Sequence, residues 1–142
     1  MGVKRMNFEG RAYVGTAGTT ASGEVTNSRD ITLPMGQEYG DTTVRGSSGP
    51  PKKTSRVTQV SCDGIEVTML NEEGDSIKAA LLGAAAAGTP VALRLKDHAA
   101  GKGFDGDCNV SASQPWPLNG EQVITFSFMP TDESGRMWQG YV

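Results

Sequence analysis

Histidine is almost missing: His98 is the only one in 142 residues. With no second histidine and no CxxC pair, the chain has no zinc site of familiar spacing. His98 itself sits in the polar stretch KDHAAGKG and reads as a surface residue. Cysteine is scarce too. Cys62 and Cys108 lie far apart, a spacing that argues for two buried, reduced thiols rather than a disulfide. That suits assembly in a reducing compartment. Long apolar runs are lacking: AALLGAAAAG (79–88) is too short and too weakly apolar to span a bilayer. The start MGVKRMNFEG has no apolar core of a secretory signal, and Met6 stands where a myristoylation site needs Ser or Thr. No nucleophile elbow, phosphate-binding loop or dinucleotide fingerprint occurs. In GKGFDGD (101–107), Asp105 and Asp107 have calcium-loop spacing without the remaining ligands, so the segment reads as a turn between strands. No enzyme, cofactor or metal is expected.

Charge of one sign is also missing. Thirteen Lys and Arg against 16 Asp and Glu give a formal net charge of −3, and the pI is about 5.1. A nucleic-acid binder that works by bulk charge is normally basic. A local basic patch remains compatible with these totals.

Glycine is plentiful: 19 residues, about twice the usual ~7%. Strand-like apolar runs lie between the glycines, so they mark turns rather than disorder. In NFEGRAYVG, Phe8, Ala12 and Val14 share one parity, against Glu9, Arg11 and Tyr13. Ile31 and Leu33 form a short run ended by Pro34. RVTQVSCDGIEVTML reads as one long strand, or as two joined at Asp63–Gly64. TPVALRLKD, DCNVSAS and QVITFSFMP each alternate with the period of a half-buried strand. LNGEQ (118–122) carries an Asn-Gly turn signal suited to joining the last two strands. One helix is expected over about residues 76–87. Asp75 caps it, Ile77, Ala80, Leu81 and Ala84 line one face, and Gly88 and Pro90 end it. The alanines make the helix thin enough to lie close against a sheet, and Gly83 inside it costs about 1 kcal/mol relative to Ala, a cost that close packing would explain. The pattern is mainly β: a β-sandwich or partly closed barrel with one flanking helix, in a single domain over 1–142.

The stretch GDTTVRGSSGPPKKTSR (40–56) is longer than a hairpin loop needs to be. It has strand formers at both ends and a Gly/Ser/Pro/Lys middle, so it reads as a long inter-strand arm over about 46–56. Arg45, Lys52, Lys53 and Arg56 concentrate positive charge there in a chain that is acidic overall.

The order of elements resembles that of the tail tube (major tail) proteins of long-tailed bacteriophages. The residues that carry the resemblance are DTTVRGS (41–47), CDGIEVTML, IKAALLGAAAAGTPVALRL and PLNGEQVITFSFMPT. It spans about Phe8 to Thr131, and DTTVRG followed by the Gly/Ser/Lys arm is its most specific piece. The related contractile-tail and type VI secretion tubes share the architecture. The resemblance implies six-membered rings stacked into a hollow tube in the virion tail, assembled in the host cytoplasm, through which double-stranded DNA passes without tight binding. It also implies partners among other tail proteins, such as tape measure, tail-tip or baseplate, and terminator proteins. The arm, with Arg45, Gly46, Ser47, Ser48, Lys52, Lys53 and Arg56, is the expected contact with a neighbouring subunit or ring. Glu72, Glu73 and Asp75 form a candidate acidic docking patch. The N-terminal arm (1–7) and the tail (132–142), with Trp138 and Tyr141, are further contact elements. Trp116, between Pro115 and Pro117, is either a rigid contact or a buried strand end. Glu66, Thr68, Asn109 and Ser111 are candidate lumen-facing residues.

Two other classes stand beside this one. A β-sandwich virion decoration or carbohydrate-binding module would need an aromatic platform. The tryptophans and tyrosines here are scattered. A small β-barrel enzyme would need an acid–base or metal cluster, which the sequence does not offer.

Overall fold

The computed structural model describes residues 2–41 and 54–134, with side chains described within 2–37 and 62–134. The strands are β1 (Arg11–Thr16), β2 (Gly23–Glu24), β3 (Ser28–Thr32), β4 (Gly36–Asp41), β5 (Thr54–Ser61), β6 (Ile65–Leu70), β7 (Val91–Lys96), β8 (Asp105–Ser113) and β9 (Val123–Pro130). One helix, α1 (Ser76–Ala87), lies between β6 and β7. Seven strands form one antiparallel sheet in the order β2-β1-β7-β8-β9-β6-β3, and β4 and β5 pair separately.

The large sheet is strongly curled. Laid flat, seven strands about 4.8 Å apart would hold the outer two roughly 29 Å apart. Here the outer strands β2 and β3 are consecutive in the chain. Val25 donates its N–H to the Ala12 carbonyl at 2.9 Å, and Asn27 accepts from the Leu70 N–H at 3.1 Å. Those two residues can be separated by only about 7 Å. The segment Val25–Asn27 therefore steps from one edge of the sheet to the other, and the edges almost meet there without closing.

The inside of the curl is the core. Ile65, Val67, Met69, Leu93, Leu95, Phe104, Cys108, Ile124, Phe126 and Phe128 are all buried. Apart from Phe104, which precedes β8, they come from the apolar parity of β6, β7, β8 and β9, as the sequence alternation predicts.

The helix closes one end of this curl. It leaves β6 and returns to β7, which are three strands apart, about 14 Å. Twelve helical residues span about 18 Å. So α1 crosses the strand ends, burying Leu81 and Ala84 against the core. Asp75 caps it as expected, its Oδ1 accepting from the N–H groups of Ile77 (3.0 Å) and Lys78 (3.3 Å). Gly88 ends it in the left-handed region (φ 72°), a conformation that glycine adopts without a Cβ clash. Gly83 does not serve close packing: a Cβ placed there would meet nothing within 4 Å.

Several sequence expectations change. Phe8 is not in a strand. It sits in a 3-10 turn (Asn7–Glu9) and is 78% exposed. That turn is tied by Glu9, which accepts from the Met6 N–H at 2.7 Å, and by the Arg11 guanidinium, which donates to the carbonyls of Phe8, Glu9 and Gly10. β1 starts only where Arg11 pairs with Lys96. GKGFDGD is not wholly a turn, because β8 begins at Asp105 and both aspartates are buried. A Cβ on Gly103 would lie 1.9 Å from the Leu95 carbonyl oxygen. Glycine there lets the chain run close enough for Leu95 to donate its N–H to the Phe104 carbonyl at 2.9 Å. The arm ends earlier than expected, since β5 starts at Thr54 and places Arg56 within a strand. Pairing with β4 decides that boundary, and β4 itself, GQEYGD, has few strand formers to announce it.

Candidate assembly surfaces

The outer face of the curled sheet is polar. Glu66 pairs with Ser127, which pairs with Ser111; Thr68 pairs with Thr125, which pairs with Ser113; Asn109 pairs with Met129. Directly paired residues point to the same side of a sheet. The four residues singled out from the sequence, Glu66, Thr68, Asn109 and Ser111, therefore share this one face. They form a hydroxyl-rich wall on β6, β9 and the second half of β8, with Glu66 as its exposed charged member; Asp105 and Asp107 share the face of β8 but are buried. Further round the same face, Arg94 of β7 stands opposite Asp105 of β8.

The expected acidic patch lies beside the helix start. Asn27 donates through its side-chain nitrogen to Glu72 and to Asp75 (3.0 Å). Asp75 therefore holds both the helix and the edge-to-edge crossing, while Glu73 is exposed to solvent. Asp107 has a comparable stapling role. Its Oδ2 accepts from the Gly18 N–H at 2.8 Å, and its carbonyl accepts from Thr131 at 3.0 Å. Both cysteines are free and buried. Burial, then the Asp107 charge and then Cys62 push the Cys108 thiol up to about 12; burial also raises Cys62, helped by Asp63.

The two ends of the curl differ. At the end crossed by α1, the nine residues between β8 and β9 carry Trp116 (69% exposed) and Leu118 (98% exposed). Trp116 is thus an exposed tip rather than a buried strand end. At the other end a cleft of about 1120 Å³ opens between the N-terminal segment, β3 and the stretch after β7. It reaches the core residues Val25 and Leu95 and includes Met6 and Phe8 at its margin. Sequence reasoning did not single out this cleft, whose walls are far apart along the chain. The tip had a signal, a tryptophan between two prolines. Arg45, Gly46, Ser47, Ser48, Lys52, Lys53, Trp138 and Tyr141 lie outside the described residues.

No family model and no curated protein matches the sequence. A solved structure, the SPP1 tail tube determined by solid-state NMR and cryo-EM, superposes with a TM-score of 0.70. The match covers 95% of this chain and 78% of that one, at 13% sequence identity. The chain has a tail-tube fold. The resemblance seen in the sequence is therefore borne out at the level of the fold. Among the described residues no helix is long and apolar enough to cross a membrane, and no three His, Cys, Asp or Glu side chains converge as metal ligands.

Proposed function

We propose that this chain is the building block of a phage tail tube: six copies close into a ring, and rings stack into a hollow conduit for the genome. The carrying observation is the likeness to the SPP1 tail tube over 95% of the chain. A fold that serves a tube must present unlike surfaces at its two ends, because head-to-tail stacking brings different patches together. The basic segment 45–53 supplies one such contact and docks on a neighbouring subunit or ring.

The hydroxyl-rich face with Glu66, Thr68, Asn109 and Ser111 faces the lumen. Phosphate contacts there would retard a moving duplex, since each one adds binding free energy by counterion release. A ring carries six times the −3 of one subunit, and a wall of hydroxyls with one carboxylate keeps the duplex hydrated. Tape measure, tail-tip or baseplate, and terminator proteins bind the tube at its core and ends.

Negative-stain microscopy of concentrated protein tests this. Rings or tubes are expected, and a monomer at every concentration contradicts the proposal. Replacing 46–53 by a short Gly-Ser turn should leave thermal unfolding of the monomer within a few degrees, since β4 and β5 still pair, and should abolish tubes. Assembled tubes should not retain linear duplex at low salt, where attraction is strongest.

A further inference from the structure

The chain carries both a protrusion and a recess, at opposite ends of the same curl. The protrusion is the Pro115–Trp116–Pro117–Leu118 tip beyond the end of β8. The recess is the cleft beyond its start, where Lys96, Lys102 and Gly103 form part of the wall. Nine residues of β8 separate the two by about 30 Å, so the tip of a molecule cannot fill its own cleft. We infer that the Trp116–Leu118 tip of one copy inserts into the cleft of a second copy, beside Val25 and Leu95. The inference rests on self-assembly as proposed above and names a contact within it.

Three observations favour a second copy as the occupant. The first is fit. A cleft of 1120 Å³ is as large as those that enclose drug-sized ligands, about 300–1,000 Å³. It readily takes one indole and one leucine side chain. Met6 and Phe8, 60% and 78% exposed at its margin, would be covered by the same event.

The second is preorganisation. Two prolines fix φ on either side of Trp116, so little backbone freedom is lost when the tip docks. Tryptophan and a neighbouring apolar side chain, held rigid and exposed, are the usual anchor of a protein contact.

The third is charge. The cleft wall carries Arg5, Arg11, Arg29, Lys96 and Lys102 against Glu24, Asp30 and Asp97, an excess of two positive charges. Counting Glu9, which pairs with Arg5 at 3.1 Å, leaves one. The tip end carries Glu72, Glu73, Asp75 and Glu121 against Lys78. Positive faces negative when the second copy arrives tip first, which steers and orients the encounter. A protrusion meeting a recess elsewhere on the molecule is a heterologous contact, and such contacts propagate into rings or filaments.

Cross-linking tests the contact directly. Leu118→Cys and Thr26→Cys are both at exposed positions, and the native thiols are buried. A mixture of the two variants treated with a short bismaleimide should give a cross-linked dimer that neither variant gives alone, with less product at high salt. Trp116→Ala should unfold like the parent and raise the protein concentration needed for assembly by about tenfold or more. Parent tubes together with no mixed dimer overturn the inference and leave tube assembly standing. A mixed dimer from a protein that never forms rings or tubes supports the contact and removes the tube. No product and no assembly removes both. Assembly of Trp116→Ala at the parent's concentration overturns the insertion. So does slow labelling of Thr26→Cys in the dilute monomer, because the cleft would then be filled from within the chain.

Discussion

The two faces of the curled sheet are built from the same strands and obey opposite rules. Phe126 and Phe128 point inward and are almost fully buried, while Thr125 and Ser127 on the same strand point outward. The inner face is set by packing, so its residues are constrained by volume and shape. The outer face is not uniform: near β7 it buries Asp105 and Asp107, with Gly18 donating to Asp107, while Glu66, Asn109 and Ser111 are exposed and so free to be chosen for a role outside the folding of the monomer. The exposed polar part of that face therefore reports on use more than on stability.

Substitutions on β9 separate the faces most sharply. Phe126→Ala should cost about 3–5 kcal/mol, whereas its neighbour Ser127→Ala should stay within about 0.5 kcal/mol. Urea unfolding of both monomeric variants measures the gap, and equal losses would erase the distinction. Alkali probes the inner face through Cys108. Above about pH 8.5 the thiol of the unfolded chain loses its proton. The buried thiol keeps it until about 12. The unfolded state then binds fewer protons, so stability falls as pH rises through that window, by up to about 1.4 kcal/mol per pH unit from this one group. Below pH 8.5 the contribution is fully present. Cys108→Ala should flatten the alkaline limb of a plot of Tm against pH, and an unchanged limb would mean the thiol is not what titrates.

Smaller effects belong to the helix. Asp75→Ala removes the cap and should cost about 1 kcal/mol, somewhat more because Asn27 loses a partner as well. Gly83→Ala should stabilise by up to about 1 kcal/mol, since the added methyl meets nothing. Thermal unfolding of each variant checks the sign, and a destabilising Gly83→Ala would show that this exposed helix face is packed.

β6, β7, β9 and α1 are legible in the sequence because each pairs a clear period with clear ends. Asp75 and Gly88 bracket the helix to the residue. The start of β8 is not legible, because its residues Asp105, Gly106 and Asp107 are buried without being apolar, so no alternation announces the strand. Phe8 misleads for the reverse reason: its parity fits a strand, but polar bonds within residues 5–11 hold a turn instead. Alternation placed Glu66, Thr68, Asn109 and Ser111 on strands, and only the register shows that they share a face. The cleft joins segments about 5–11, 24–33 and 95–103, and no local pattern encodes such a meeting.

The step from Val25 to Asn27 also bears on how the protein avoids sticking to itself in the wrong way. An open sheet has two rims that can recruit a stray strand. Here one rim, β2, is two residues long, and the other, β3, carries Arg29 and Asp30 and has an irregular register between Ser28 and Ile31. Because both rims belong to a single short stretch of chain, each shields the other where they converge. Converging rims leave a stray strand no long, straight edge to extend, and this crossing achieves that with three residues.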